Sequence, residues 1–178
     1  LPVGMFDCPR QQSQGIQYLD FGRFSHFAVF GGASSGKTSF LKTVILSAAC
    51  VCSPKELNMY IMDFGGRSMS GFESLPQAGC VAMDYEEEKL EKLKQMLLHE
   101  IEVRKQFFQK KNISSFYNSH IQELPSVLLI VDNYLSASRQ FPSLDEMFEK
   151  VSQEGSTYGI HMIFTANNQM GISHRVMN

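Results

Sequence analysis

No two cysteines are spaced as a CxxC pair, and the five histidines do not gather beside Cys8, Cys50, Cys52 or Cys80. That pattern argues against a zinc site and against a disulfide framework, and predicts reduced thiols of the kind a reducing cytosol maintains. An excess of one charge is also missing. The formal net charge is −2, so the chain as a whole has no attraction for nucleic acid or an anionic membrane surface. Its basic residues adjoin at Arg104-Lys105 and Lys110-Lys111 and do not cluster beyond the second pair, and no direct nucleic-acid contact is expected. Long hydrophobic runs are lacking too. Residues 44–51 and 127–131 fall far short of the roughly 20 apolar residues that a membrane helix needs. The sequence shows no signal peptide, internal repeat or low-complexity stretch. It opens on Leu1 and closes on Val176-Met177-Asn178, and is read as an excised piece of a longer protein, with any anchor or neighbouring domain outside it.

What is present is ample apolar material. Hydrophobic residues make up 43% of 178 positions, which fits one domain spanning residues 1–178 around one core. Residues 26–30 (HFAVF), 59–64 (MYIMDF), 80–83 (CVAM), 127–131 (VLLIV) and 160–165 (IHMIFT) read as buried strands. Between them, residues 38–52 are helix-forming and stop at Ser53-Pro54, and residues 65–79 carry four glycines and a proline and read as loop. Asp84 with Glu87 has the spacing of a capping box. Behind it Leu90, Leu93, Leu97, Ile101 and Phe108 mark one stripe of a long helix, with Glu88–Lys92 and Glu100–Arg104 as i,i+4 pairs. Ser143 with Glu146 offers a second capping box, for a helix ending near Gly155. Strands alternating with helices predict an α/β fold, a mostly parallel sheet with helices on both faces.

Gly31-Gly32-Ala33-Ser34-Ser35-Gly36-Lys37-Thr38 fits the pattern GxxxxGK[ST], followed by Ser39. Small residues let such a loop curl and aim its N–H groups at phosphates, and the helix after it adds the positive end of its dipole. Lys37 then reaches the β- and γ-phosphates of ATP, and the Thr38 hydroxyl ligates Mg2+. A strand before the loop and a helix after it supply the context the motif requires. The site also needs an acid at the end of another strand, to hold magnesium through its water shell. Asp132, closing the run VLLIVD, fills that need from the neighbouring strand.

Asn133 follows. Many ATPases of this build carry glutamate there, to orient and deprotonate the attacking water. An amide orients water but accepts no proton, and losing a general base costs roughly 10²–10⁴ in rate. Hydrolysis is therefore expected to be slow unless another carboxylate substitutes, with Asp63 the one to test. The alternative is that Asn133 suffices and the domain hydrolyses ATP. Asn167, after the last strand, stands where a γ-phosphate sensor would, or is an ordinary loop asparagine. Arg139 and Arg175 are expected in late loops, with no ground for making either an arginine finger. The methionines, among them Met59, Met62, Met83 and Met96, read as adaptable core filler, and the acidic stretch 84–91 as a solvated helix start.

These residues resemble an FtsK/SpoIIIE-type ATPase domain, and within that group one of the tandem ATPase domains of the EssC/EccC proteins of type VII secretion. Leu1-Pro2-Val3-Gly4-Met5-Phe6-Asp7-Cys8-Pro9 with Gln12 is similar to the lead-in before these phosphate loops. Asp63-Phe64-Gly65-Gly66 resembles the family's "DFgg". Leu75-Pro76 with Gly79 resembles "LPH.gg", with Gln77 in place of the histidine. Glu102–Arg104, Phe116-Tyr117-Asn118 and Leu124-Pro125 match the long helix and the approach to the acidic strand. Gly155 and Gly159-Ile160-His161 resemble "reG..yGIHli.Ta". The resemblance implies a RecA-like P-loop NTPase fold, and cytoplasmic domains borne by a bacterial cell-membrane protein that exports WXG100-type substrates. It further implies tandem neighbours and hexamer formation. Asn133 departs from the glutamate of competent domains, and later tandem domains are often degenerate, which places this chain among them. Three functions compete: an ATP-binding module of a secretion motor, a working motor for protein or DNA, and a small-molecule kinase. A kinase usually has an arginine-rich lid, and the arginines here are scattered.

Overall fold

The computed structural model describes residues 1–117 and 123–177, so Asn118 and Asn178 lie outside the described residues. Seven strands run in chain order: β1 (Pro2–Cys8), β2 (Ser13–Tyr18), β3 (Phe27–Phe30), β4 (Leu57–Asp63), β5 (Ala78–Met83), β6 (Ser126–Asp132) and β7 (Ile160–Ala166). The helices are α1 (Lys37–Val51), α2 (Glu87–Lys111), α3 (Tyr134–Gln140), α4 (Asp145–Glu154) and the short α5 (His174–Met177). Strands β3 to β7 form one parallel sheet in the order β3-β7-β6-β4-β5. The expected α/β fold with a parallel sheet is what the chain adopts.

Strands covered on both faces read as unbroken apolar runs, and β6 and β7 are buried along nearly their whole length. The sheet divides the expected single core in two. On one face Leu41, Val44, Ile45 and Ala48 of α1 meet Met59, Ile61, Leu128, Ile130 and Ile163. On the other, Leu90, Leu93, Leu97 and Ile101 of α2 join Tyr134, Phe148 and Val151 over Met62, Leu129, Val131 and Phe164. The predicted α2 stripe is buried throughout, Phe108 included. Met59, Met62 and Met83 are core residues and Met96 packs on the core, whereas Met5 and Met170 are exposed.

Several expectations need correction. The lead-in, given no element from sequence, forms an antiparallel hairpin of β1 and β2, with Met5 opposite Ile16. Strand β3 is an edge strand whose Ala28 and Phe30 face outward, so its run is only half buried. The stretch 65–79 contains a 3₁₀ turn, Ser70–Ser74, and its end already belongs to β5. Neither capping box forms. Helix α2 starts at Glu87, because Asp84 is drawn into a two-point pair with Arg67 and Glu86 Oε2 takes the Met83 N–H at 2.9 Å. Ser143 sits inside the 3₁₀ turn Pro142–Leu144, which leads straight into α4. Arg139 and Arg175 lie in α3 and α5 rather than in loops, and Arg175 is paired with Glu149 at 3.0 Å.

Candidate functional site

In an open parallel sheet, ligand crevices form at the carboxyl ends of the strands. Four segments meet there: the loop after β3, the end of β7, the end of β6 and the turn after β4. The loop Gly31 to Gly36 curls through positive φ at Ser34 (57°) and Gly36 (92°). Gly31 lies against Ser35, whose hydroxyl a Cβ at Gly31 would displace. Helix α1 begins at once, and its first hydrogen bond runs from Phe40 N–H to Gly36 C=O at 2.8 Å. The amides of residues 36–39 therefore have no helical acceptor. They border a concavity of about 230 Å³ lined by residues 34–39, a ready anion cradle at the positive end of α1.

Lys37 Nζ folds over the loop and donates to the Gly31 and Gly32 carbonyls at 2.7 Å each, and to Asn167 Oδ1 at 3.2 Å. Asn167, one residue past β7, thus reaches the phosphate-loop lysine across 130 residues of chain. Thr38 Oγ1 donates to Asp132 Oδ2 at 2.6 Å. Asp132 does not come from the strand next to β3, as expected from sequence, because β7 lies between them. The two residues meet above the end of β7. A hydroxyl and a carboxylate so placed beside an anion cradle fit magnesium with a nucleotide triphosphate, and residues 34–39, Lys37, Thr38 and Asp132 are the ones that would hold them.

Asp132 is almost fully buried and its other oxygen, Oδ1, accepts from Thr165 Oγ1 at 2.6 Å. The same Thr165 oxygen accepts the Asn133 N–H at 2.8 Å. Gly65 backs onto this carboxylate, and any Cβ there would overlap it. Sequence reasoning missed Thr165 and gave Gly65 only as part of a family motif. The signal for Thr165 was a hydroxyl closing the otherwise apolar stretch MIFTA.

The structure changes the reading of the two residues weighed as bases. Asn133 has φ 65° and ψ 63°, and its Nδ2 donates to Phe64 C=O at 3.3 Å and Ser136 Oγ at 2.7 Å. The Nδ2 of this amide is committed to the turn into α3. Asp63, fully buried, accepts the N–H groups of Gly65 and Arg67 on Oδ1 and of Met69 on Oδ2, at 2.9–3.2 Å. It shapes the turn after β4, and both of its oxygens are used, so it is withdrawn as a substitute base. Lys111 pairs with Glu123 at 2.6 Å, which offsets one of the two charges at Lys110-Lys111. In the acidic stretch 84–91, Asp84, Glu86, Glu88 and Glu91 are each taken up by a nearby cation.

A phosphate loop on a parallel sheet, met by a strand-terminal acid one strand beyond its neighbour, defines the class as P-loop nucleotide-binding domains. The chain belongs to the FtsK/SpoIIIE family, whose model matches residues 3–177. It is 31% identical over 180 residues to an ESX secretion system protein EccC of Geobacillus thermodenitrificans, an alignment covering 99% of this chain and 12% of that protein. It is 27% identical to the type VII secretion system protein EssC of Staphylococcus aureus, with 99% of this chain and 12% of that protein covered. Among solved structures it superposes on EssC ATPases 2 and 3 of Geobacillus thermodenitrificans with a TM-score of 0.89 at 30% identity, covering 99% of this chain and 34% of that one. Thermomonospora curvata EccC ATPases 2 and 3, solved with a signal sequence peptide, give 0.84 at 27% identity, covering 98% and 33%. The chain therefore spans about an eighth of the length of these EccC and EssC proteins. Among the described residues no helix is long and apolar enough to cross a membrane.

Proposed function

We propose that this domain binds ATP with magnesium and turns it over slowly or not at all, as one of the tandem ATPase domains of a type VII secretion protein. The observation that carries the binding half is the 2.6 Å bond from Thr38 Oγ1 to Asp132, which joins the phosphate loop to the acidic strand. The slow turnover rests on Asn133, an amide at the place of a general base, with its Nδ2 already held by Phe64 C=O and Ser136. In this reading Gly31, Gly32, Ala33, Ser34, Ser35, Gly36 and Ser39 contribute the cradle, Lys37 the charge on the phosphates, Thr38 and Asp132 the magnesium site, and Asn167 the γ-phosphate contact. The secretion role is supported by the EccC and EssC relatives. In this reading the domain sits on the cytoplasmic side of a bacterial cell-membrane protein, beside further ATPase domains and within a hexamer, and supports export of WXG100-type substrates.

ATP acts here as a ligand that stabilises whatever it binds, by RT ln(1 + [L]/Kd). Magnesium-ATP at a hundred times its Kd is expected to add about 2.7 kcal/mol, visible as a raised melting temperature. Lys37→Ala should abolish that rise, and an equal rise in the variant would refute the phosphate-loop assignment. Turnover is measured on the wild type and on Asn133→Glu. Brisk wild-type hydrolysis, unchanged by the substitution, overturns the missing base and makes the domain a working motor ATPase.

A further inference from the structure

Thr165 has no place in the nucleotide-binding pattern read from sequence, yet it occupies the centre of the site. It lies on β7, the strand inserted between the phosphate-loop strand and the acidic strand. Its register partner on β3 is Val29, and Phe164 beside it pairs with Val131, which sets Thr165 level with Asp132. The residue is fully buried. A buried hydroxyl is costly unless it is hydrogen-bonded, and valine would fill the same volume without that cost. The hydroxyl instead spends its proton on Asp132 Oδ1 at 2.6 Å and a lone pair on Asn133 N–H at 2.8 Å.

The two carboxylate oxygens are thereby given separate partners. Oδ1 is tied inward to Thr165, and Oδ2 is turned toward Thr38 Oγ1. Gly65 closes the remaining side by leaving room for no atom beyond its Cα. A free carboxylate rotates about its Cβ–Cγ bond; this one cannot do so without breaking two hydroxyl bonds. The second bond, to Asn133 N–H, satisfies the amide of a residue in the left-handed region, directly after the acid. Thr165 thus fixes both the plane of the carboxylate and the turn that follows it.

We propose that Thr165 is the positioning residue of the magnesium site, orienting Asp132 so that Oδ2 faces the metal; this rests on the magnesium-ATP reading above. Groups that orient a ligand through a hydrogen bond typically change metal affinity by about 10–100-fold when removed. The test compares ATP affinity in magnesium with ATP affinity in EDTA, by calorimetry, for the wild type, Thr165→Val and Thr165→Ser. Thr165→Val should lower the magnesium-dependent gain about 10–100-fold and leave binding in EDTA unchanged, and Thr165→Ser, which keeps the hydroxyl, should restore it. Equal weakening in both media, or an undiminished gain, overturns the proposal. Thr165→Ala stands in should Thr165→Val fail to fold. A wild type that binds no ATP in either medium refutes the functional reading instead. The role of Thr165 is then decided by hydrogen exchange at Asn133 N–H, which Thr165→Val should accelerate and Thr165→Ser should return to the wild-type rate; exchange unaffected by Thr165→Val overturns it.

Discussion

At Asn133 the chain leaves β6 with φ 65°, in a region where a Cβ ordinarily costs about 1–2 kcal/mol. Asparagine tolerates it because its short amide bonds locally, here to Phe64 C=O and Ser136 Oγ. The same position therefore serves backbone shape as well as chemistry, and the two demands pull toward different residues. Asn133→Ala is expected to lose about 1–2 kcal/mol by chemical denaturation, while Asn133→Gly, free of the Cβ penalty, should lose less. An alanine variant as stable as the wild type would show that the side-chain bonds and the dihedral do not matter together. Gly65 makes the complementary point. Its backbone conformation is ordinary, but a methyl group there would occupy the space of the Asp132 carboxylate. Gly65→Ala should displace that carboxylate and weaken magnesium-dependent nucleotide binding by about 10–100-fold, with little change in binding in EDTA. An unaltered magnesium dependence would count against the packing of Gly65 on Asp132.

At the scale of elements, α2 carries two buried cations, Lys94 and Arg104, and the second ties it to the sheet. Arg104, 1% exposed, takes Glu100 Oε1 through Nε at 2.7 Å and donates to Tyr158 C=O and Pro125 C=O at 2.8 Å each. It thus ties the helix to the residues that open β6 and β7. Leaving two inner carbonyls unmet is expected to cost Arg104→Ala about 2–4 kcal/mol, a fall of several degrees in melting temperature for a chain of this size. Arg104→Met, apolar and long, should lose as much, since the carbonyls remain unmet. Little change in either variant would show that water reaches those carbonyls. Gln77 plays a similar part at the end of α1, donating to Ala49 C=O and Cys52 C=O at 3.1 and 2.7 Å, so the departure from the family's histidine leaves that helix end capped. These elements also show what a sequence can carry. The runs VLLIVD and IHMIFT were readable because both of their faces are buried, and the stripe of α2 because one of its faces is. The hairpin of β1 and β2 was not, because its exposed Met5, Phe6, Ile16 and Tyr18 leave no clean alternation. Helix α3 was not, because it starts directly after Asn133 with no break between strand and helix. Within the site, Lys37, Thr38 and Asp132 are announced by motif and strand position. Thr165 acts through contacts 32 and 33 residues away in sequence, which no local pattern records.

The whole molecule separates its functions along the sheet. The candidate nucleotide site lies at the carboxyl ends of the strands, and the opposite rim carries a buried histidine, His161, beside a half-buried one, His26. His26 Nδ1 accepts the Met162 N–H at 3.0 Å. His161 Nδ1 lies 2.7 Å from Ser25 C=O, to which it can only donate, so its Nε2 accepts from the Tyr117 hydroxyl at 2.8 Å. Both rings are neutral in this arrangement, and protonating His26 would set a donor against the Met162 N–H, whereas the Tyr117 hydroxyl can turn to accept from a protonated His161. Burial, helped by the neighbouring His161, pushes His26 down to about 4. Burial likewise lowers His161, against the opposing pull of Ser25 C=O. In the unfolded chain both return to the ordinary value of 6.5. Between pH 6.5 and about 4 the unfolded state therefore binds protons that the folded state refuses, and folding stability must fall as the pH falls through that window. The slope from His26 is at most about 1.4 kcal/mol per pH unit. His26→Asn, whose Oδ1 can still accept the Met162 N–H, removes one titrating group, so its melting temperature should fall less steeply between pH 6.5 and 4.5, with His161 and the carboxylates held low, such as Glu102 and Glu149, supplying what slope remains. Above pH 7.5 the two proteins should show parallel profiles. A His26→Asn profile as steep as that of the wild type would mean that His26 is protonated in the folded state, with the Met162 amide bonded elsewhere.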